Sequence, residues 1–275
     1  MKRRLDIKRS DRRFCSMPLI CALFRWYNEH ETGATLGTEN IQLKSLNRRN
    51  TLLFIMIIRT DASKCINIIQ GYSFFNNGMD DFWYYSDVVF KTGRSYALVS
   101  EYQQGCMYLS YLLGGQIEIK DGLEIYLDDN RVTQETLKGI SWNLEPSHES
   151  YKNHMVRKSI EKALKSGYVE ESFEQLAESF CLTPERYDRK LRQLSGERWS
   201  ASAAVGYASG KKVFYAPYNA SNFYSSNARL KQMISYLTSH DCMVLLPVGS
   251  DMYLKDHVDQ CIYIEQQTAW SKSKQ

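Results

Sequence analysis

The chain has 275 residues, of which 43% are hydrophobic and 24% charged, with a net charge of +4. That is enough apolar surface for a packed core, which excludes disorder along the whole length. The excess of 35 Lys and Arg over 31 Asp and Glu is too mild to indicate a nucleic-acid partner.

Residues 1–50 are polar, basic and weakly periodic. The start, MKRRLDIKRSDRRFCSMPLICALFRWY, imitates a signal peptide, but no small-residue cleavage site follows and Arg25 closes the apolar run. A loosely ordered basic extension is expected here, or an arm that touches lipid headgroups or a partner. The texture changes at residue 51. LLFIMII, residues 52–58, is the longest uniformly apolar run, short against the ~20 residues of a membrane span. It reads as a strand, as does KCINIIQGYSF after it. FWYYSDVVF reads as one further strand, followed by the turn KTGR and the buried strand SYALVS at 95–100. CMYLSYLLGG reads as a helix that ends on glycines. QIEIKDGLEIYLDD suggests a hairpin about Asp121-Gly122, and LKGISWNLEP a short strand ended by Pro146.

From 147 to about 200 the pattern is helical. Met155, Ile160, Ala163 and Leu164 fall near helical spacing, and Gly167 closes the segment. SFEQLAESFCL and PERYDRKLRQL continue in the same style. KKVFYAP and CMVLLPVG then read as strands on either side of the helix NARLKQMISYLTSH, and VDQCIYIEQ as a last strand. Strands and helices alternate around a helical insertion, which predicts an α/β fold with a mostly parallel sheet covered on both faces.

Seven cysteines, at 15, 21, 65, 106, 181, 242 and 261, show neither a CxxC pair nor zinc spacing, and read as free thiols of a reducing compartment. The five histidines, 30, 148, 154, 240 and 257, form no metal spacing either. His148 and His154 are expected at the surface of the helical insertion. The 19 tyrosines are expected mainly in wet-edged core packing.

The segment RQLSGERWSASAAVGYASGKKVFYAPY, with the elements before and after it, resembles the ATP-binding cassette of ABC transporters. GRSYALVS resembles the strand entering the phosphate-binding loop, and SEYQQGCMYLSYLLGG that loop and its helix. DGLEIYLDD resembles the following hairpin, GISWNLEP the strand to the Q-loop, and RKLRQLSGER the signature. KKVFYAP resembles the Walker B strand; LLPVGSD and HVDQCIYI resemble the switch-loop strand and the last core strand. The likeness runs over residues 93–264. It implies an ABC-type P-loop nucleotide-binding fold: a basic extension at 1–50, a first part of the core with an antiparallel β-subdomain at 51–146, a helical subdomain with the signature at 147–205, and the rest of the core at 206–275.

The residues of the chemistry do not follow the pattern. A Walker A loop, GxxxxGK[ST], brings backbone N–H groups and a lysine to the phosphates and a hydroxyl to magnesium. Here Ser100, Glu101, Tyr102, Gln103, Gln104, Gly105, Cys106 and Met107 stand in those places. Gly105 keeps the second motif glycine, Cys106 replaces the lysine and Met107 the magnesium ligand. Glu101 would repel a phosphate by about 1–4 kcal/mol at effective dielectrics of ~80 to ~20. The two acids of Walker B are replaced by Tyr215 and Ala216, or in the other register by Pro217 and Tyr218. Glu145 stands for the Q-loop glutamine and Ser250 for the switch histidine, with Asp251 kept after it. Ser195 and Gly196 match the signature that, in the family, faces a nucleotide held by a partner cassette. The following Glu197 and Arg198 occupy its last places, or Glu197 matches the final acid with one glycine missing. On its own, LSGER also reads as a helix start with Ser195 as N-cap. Phe82, Trp83, Tyr84 and Tyr85 are candidates for base stacking, and Cys106 is a candidate reactive thiol at a helix start.

The resemblance therefore implies a cassette without its catalytic residues. Gly105, Cys106, Met107, Glu145, Ser195, Gly196 and Ser250 mark a degenerate nucleotide site with weak ATP and magnesium affinity, no catalytic group and no metal ligand. Its role would be structural or regulatory in a transport complex, at the cytoplasmic face of a membrane, beside a permease or an intact ABC ATPase subunit. The alternative is a divergent ABC ATPase that binds ATP and hydrolyses it slowly. A third is a cassette-derived binding protein apart from any transporter.

Overall fold

The computed structural model describes residues 56–61, 66–69, 81–84, 88–100, 103–119, 124–145, 153–217 and 228–268. The basic segment 1–50 lies outside them, as do Glu101, Tyr102, Pro146, His148 and Tyr218.

In chain order the first elements are β1 (Ile57–Asp61), β2 (Ile66–Ile69), β3 (Asp81–Tyr84), β4 (Val88–Lys91), β5 (Ser95–Val99) and α1 (Gln103–Leu113). They are followed by β6 (Glu124–Leu127), β7 (Asn130–Arg131), α2 (Gln134–Ile140), β8 (Ser141–Asn143), α3 (Val156–Leu164), α4 (Phe173–Ser179) and α5 (Arg198–Ala208). Last come β9 (Val213–Tyr215), α6 (Ala228–Ser239), β10 (Met243–Val248), β11 (Gln260–Tyr263) and β12 (Glu265–Thr268).

The central sheet has five strands in the order β11-β5-β10-β9-β8, and each of its pairings is parallel. The late strand β10 thus lies between β5 and β9. Every residue of β5, β9 and β10 is buried, the continuous apolar pattern of strands covered on both faces. Side chains alternate between two cores. Ala97, Val99, Phe214, Val244, Leu246 and Val248 join the core shared with α3, α4, α5 and α6. Tyr96, Leu98, Val213, Tyr215, Met243 and Leu245 join the core beneath α1 and the antiparallel strands. A shift of one residue in any of these strands would exchange its two faces, so the register is strongly specified.

Two antiparallel sheets flank this centre, one in the order β4-β1-β6-β7 and one in the order β12-β3-β2. Ile58, Phe90 and Ile125 point from the first into the second core, each fully buried. The hairpin of this sheet is β6-β7, turning through Asp128 and Asp129, both at positive φ (48° and 65°). Two consecutive left-handed residues make a tight turn whose twist matches the strands, and the other edge of β6 pairs with the distant β1. The turn expected at Asp121-Gly122 lies outside the described residues.

Three expectations are corrected. FWYYSDVVF divides into β3 and β4, which belong to different sheets. LKGISWN is mainly α2, capped by the Thr133 side chain, and leaves only residues 141–143 to β8. PERYDRKLRQL forms two short 3-10 turns, Pro184–Arg186 and Leu191–Gln193, rather than a helix. Its apolar residues are too few to bury a helical stripe, and Leu191 is the buried residue of the second turn.

Candidate functional site

The parallel strands β5 and β10 end in register at Val99 and Val248, whereas β9 ends earlier, at Tyr215 opposite Leu245; the segments leaving these strands carry the positions singled out in the sequence. After β5, Ser100 is almost wholly buried. Its N–H donates to Val248 O (3.2 Å), which ties the start of the loop to the end of β10. α1 begins at Gln103, so Gly105, Cys106 and Met107 are already in its first turns. Cys106 is fully buried, and its N–H donates to Ser100 Oγ at 3.4 Å. A first-turn amide is one of the donors that a helix start can offer to an anion. Here the chain's own hydroxyl accepts from it. Burial pushes the Cys106 thiol up, against the lowering effect of its hydrogen bonds. Full burial and this upward direction both work against the reactive thiol expected at this helix start, because desolvation favours the neutral S–H.

At the end of β9, where two acids would stand, Tyr215 is 1% exposed and Ala216 fully buried. The tyrosine ring lies edge-on to Tyr111, with centroids 5.9 Å apart, and against the backbone of Gly114, where a Cβ would come within 2.5 Å of it. The strand end is closed by hydrogen bonds from Ala216 N to Leu245 O (3.1 Å), from Leu144 N to Tyr215 O (2.8 Å) and from Ser110 Oγ to Ala216 O (2.8 Å). Burial, with Tyr111 nearby, pushes the Tyr215 hydroxyl far up, so it remains neutral. Pro217 is half-buried, and the alternative register places no carboxylate there either.

Ser250 lies beyond β10 as the cap of a 3-10 turn, Asp251–Tyr253, and its hydroxyl accepts from Met252 N at 3.3 Å. Asp251 accepts from the Tyr263 hydroxyl (2.8 Å). Glu145, past β8, has both carboxylate oxygens engaged. Oε2 accepts from Trp199 Nε1 at 2.9 Å, and Oε1 is 3.0 Å from Arg198 Nε, an ion pair rather than a well-aligned hydrogen bond.

Ser195 and Gly196 form an exposed turn between the buried Leu194 and α5. A Cβ on Gly196 would meet nothing within 4 Å. Ser195 is not the N-cap that the local sequence suggests: α5 starts at Arg198 with Glu197 as its cap residue, and no side chain makes the cap hydrogen bond. The reason is Glu197 itself. Its side chain is 1% exposed and is drawn inward, with Oε1 2.9 Å from Arg229 Nη1 and 3.3 Å from Arg186 Nη1. Thr183 donates to it through both N–H (3.3 Å) and hydroxyl. This cluster about a buried carboxylate was missed in the sequence because its members stand at 183, 186, 197 and 229, at no common period. The only signal is an acid in a segment rich in arginine.

Of the aromatics proposed for stacking, Phe82, Trp83 and Tyr84 lie on β3, whose side chains, like Tyr85, are outside the described residues. Among the described residues no group of His, Cys, Asp and Glu could hold a metal ion, and no helix is long and apolar enough to cross a membrane.

The architecture has close structural counterparts. The ADP conformation of an ATP-binding cassette of an ABC transporter superposes with a TM-score of 0.53 over 80% of this chain and 93% of that one, at 13% identity. The chain has the ATP-binding cassette fold. A second cassette of this fold, cbiO1 from Clostridium perfringens, part of the ABC transporter complex cbiONQ, gives 0.52 over 79% and 90% at 8% identity. A putative ABC transporter ATP-binding protein from Pyrococcus furiosus gives 0.52 over 75% and 96% at 11%. No protein-family model and no curated protein matches the sequence.

The positions that the sequence resemblance assigns to nucleotide carry a buried thiol at Cys106, a half-buried Met107, and Tyr215 and Ala216 packed into the core. Phosphoryl transfer relies on positioned charge and metal, and no step of it can be assigned to these side chains.

Proposed function

We propose that this chain is a cassette that does not hydrolyse ATP itself and serves a structural or regulatory role in a transport complex. It pairs with an intact ATPase subunit or docks on a membrane permease, at the cytoplasmic face of the membrane. The observation that carries this reading is the end of β9, where Tyr215 and Ala216 are packed into the core in place of the acids that bind magnesium and activate water. Removing one preorganised charge of this kind costs about 10²–10³ in rate, and here the charges of several motifs are absent together. The exposed Ser195–Gly196 turn is the element suited to a partner: it offers a hydroxyl and unhindered backbone to a phosphate held by the other subunit. ATP and magnesium bind this chain weakly at most.

Calorimetry of magnesium-ATP against the purified chain tests the reading. No heat is expected at millimolar nucleotide. Micromolar binding with phosphate release that survives Cys106→Ala would overturn it and establish a divergent ATPase. In an assembled complex, Ser195→Arg is expected to lower the ATPase rate of the partner subunit while leaving the fold of this chain unchanged.

A further inference from the structure

Three consecutive residues after the signature turn reach in two directions. Glu197 joins Thr183 and Arg186, from the 3-10 turn of the helical insertion, to Arg229 on α6. Arg229 Nη2 also donates to Thr183 Oγ1 at 3.4 Å, closing the cluster. Arg198 and Trp199 hold the carboxylate of Glu145, beyond the edge strand β8. Trp199 is 3% exposed and belongs to the core beneath α5. Glu145 is fixed in turn by its own N–H, which donates to Asn143 Oδ1 (3.0 Å).

By contrast, the Ser195–Gly196 turn has little packing of its own. Its place is set by what lies on either side: the buried Leu191 and Leu194 before it, and residues 197–199 after it. We propose that Glu145 and Glu197 are positioning residues, which clamp the Ser195–Gly196 turn to the edge of the parallel sheet and to α6. Glu197 supplies a carboxylate shielded from water and shared by two guanidinium groups, a geometry in which removal of the charge leaves both arginines without their partner. Glu145 spends both oxygens on α5, so it acts as a latch on that helix and not as a ligand for nucleotide. Both contacts join segments distant in sequence, so the insertion, α5, α6 and the sheet edge hold the turn as one body. The consequence for a partner rests on the presentation proposed above, whereas the clamp is a property of this chain alone.

Hydrogen exchange of the full chain, without nucleotide or partner, tests the clamp. Glu197→Gln keeps the shape and removes the charge. Exchange of amides 195–199 is expected to accelerate by at least about tenfold, with β5 and α1 unchanged, as local opening without global unfolding requires. Arg229→Gln, which leaves the carboxylate in place, is expected to act on the same amides. For Glu145 the readout is the indole N–H resonance of Trp199. Glu145→Gln is expected to move it and to leave that of Trp142, which donates to Ser202 Oγ (3.1 Å), in place. Unchanged exchange at 195–199 in Glu197→Gln and Arg229→Gln overturns the clamp, as does an equal acceleration throughout the molecule. A Trp199 signal indifferent to Glu145→Gln overturns the latch. None of these results bears on whether a partner's nucleotide meets Ser195, which the partner's ATPase rate reports separately.

Discussion

Replacing Gly114 by alanine probes the packing that fills the end of β9. An added Cβ would lie 2.5, 2.6 and 2.8 Å from Cζ, Cε1 and Cδ1 of Tyr215. Carbon atoms pack at about 3.5–4.0 Å, so the ring must retreat by roughly 1 Å. It has little room: Tyr215 is 1% exposed and the Tyr111 ring already lies edge-on against it. Gly114 follows the last residue of α1, so alanine gains no helix propensity to offset the clash, and its φ is not positive, so the effect is steric. Overpacking of this kind costs about 1–3 kcal/mol. Equilibrium urea unfolding should show it as a lower midpoint at unchanged slope. In a Tyr215→Leu background the same substitution should cost little, giving a coupling of about 1–3 kcal/mol between the two sites. An equal cost in both backgrounds, or none in either, would refute the packing of the Tyr215 ring against Gly114.

Further outcomes are expected from the packing of the protein. Gly206→Ala in α5 would place a Cβ 2.4 Å from the Trp142 ring, and should destabilise the chain by about 1–3 kcal/mol with a shift in Trp142 fluorescence; stabilisation, the usual effect of alanine in a helix, would contradict the close approach. Peptide-mapped alkylation of the native chain should find Cys106 and Cys242, both fully buried and the second pushed up to about 12 mainly by burial, at least about tenfold slower than the half-buried Cys181; comparable rates would place Cys106 in reach of solvent. Glu171 accepts from the hydroxyls of Tyr207 (3.0 Å) and Tyr236 (3.2 Å). Burial pushes its carboxyl up, but its own backbone N–H, the two tyrosines and nearby His240 outweigh that, so the net shift is down. A lowered folded-state pKa stabilises above the unfolded value of about 4.3 and is lost as pH falls through the folded value. Glu171→Gln should therefore lower the urea midpoint at pH 7 and converge with the parent below pH ~4; a constant difference across that range would refute the linkage.

The sequence alone determined more of the scaffold than of the site. Apolar runs such as SYALVS and CMVLLPV had to be strands covered on both faces, because no polar face was available to meet water. The order of strands, glycines and the LSG turn was sufficient to expect a cassette, and the positions that the resemblance assigns to lysine, acids and histidine carry Cys106, Tyr215, Ala216 and Ser250. What only the tertiary structure decided was where the replacing side chains went. Tyr215 could not be read as core rather than surface until Gly114 and Tyr111 stood beside it. Nor could Cys106 be read as inert until its burial and the hydroxyl of Ser100 were in place. Local signals misled where distant partners outbid them. LSGER suggested a serine cap, but Arg186 and Arg229, brought in from 11 residues before and 32 after Glu197, drew that residue inward and moved the helix start to Arg198. The pairing of β6 with β1, more than sixty residues away in the chain, was likewise invisible to turn signals near β6. Periodicity and turn chemistry act over a few residues, whereas buried charge pairs and strand neighbours are set by contacts that no local pattern encodes.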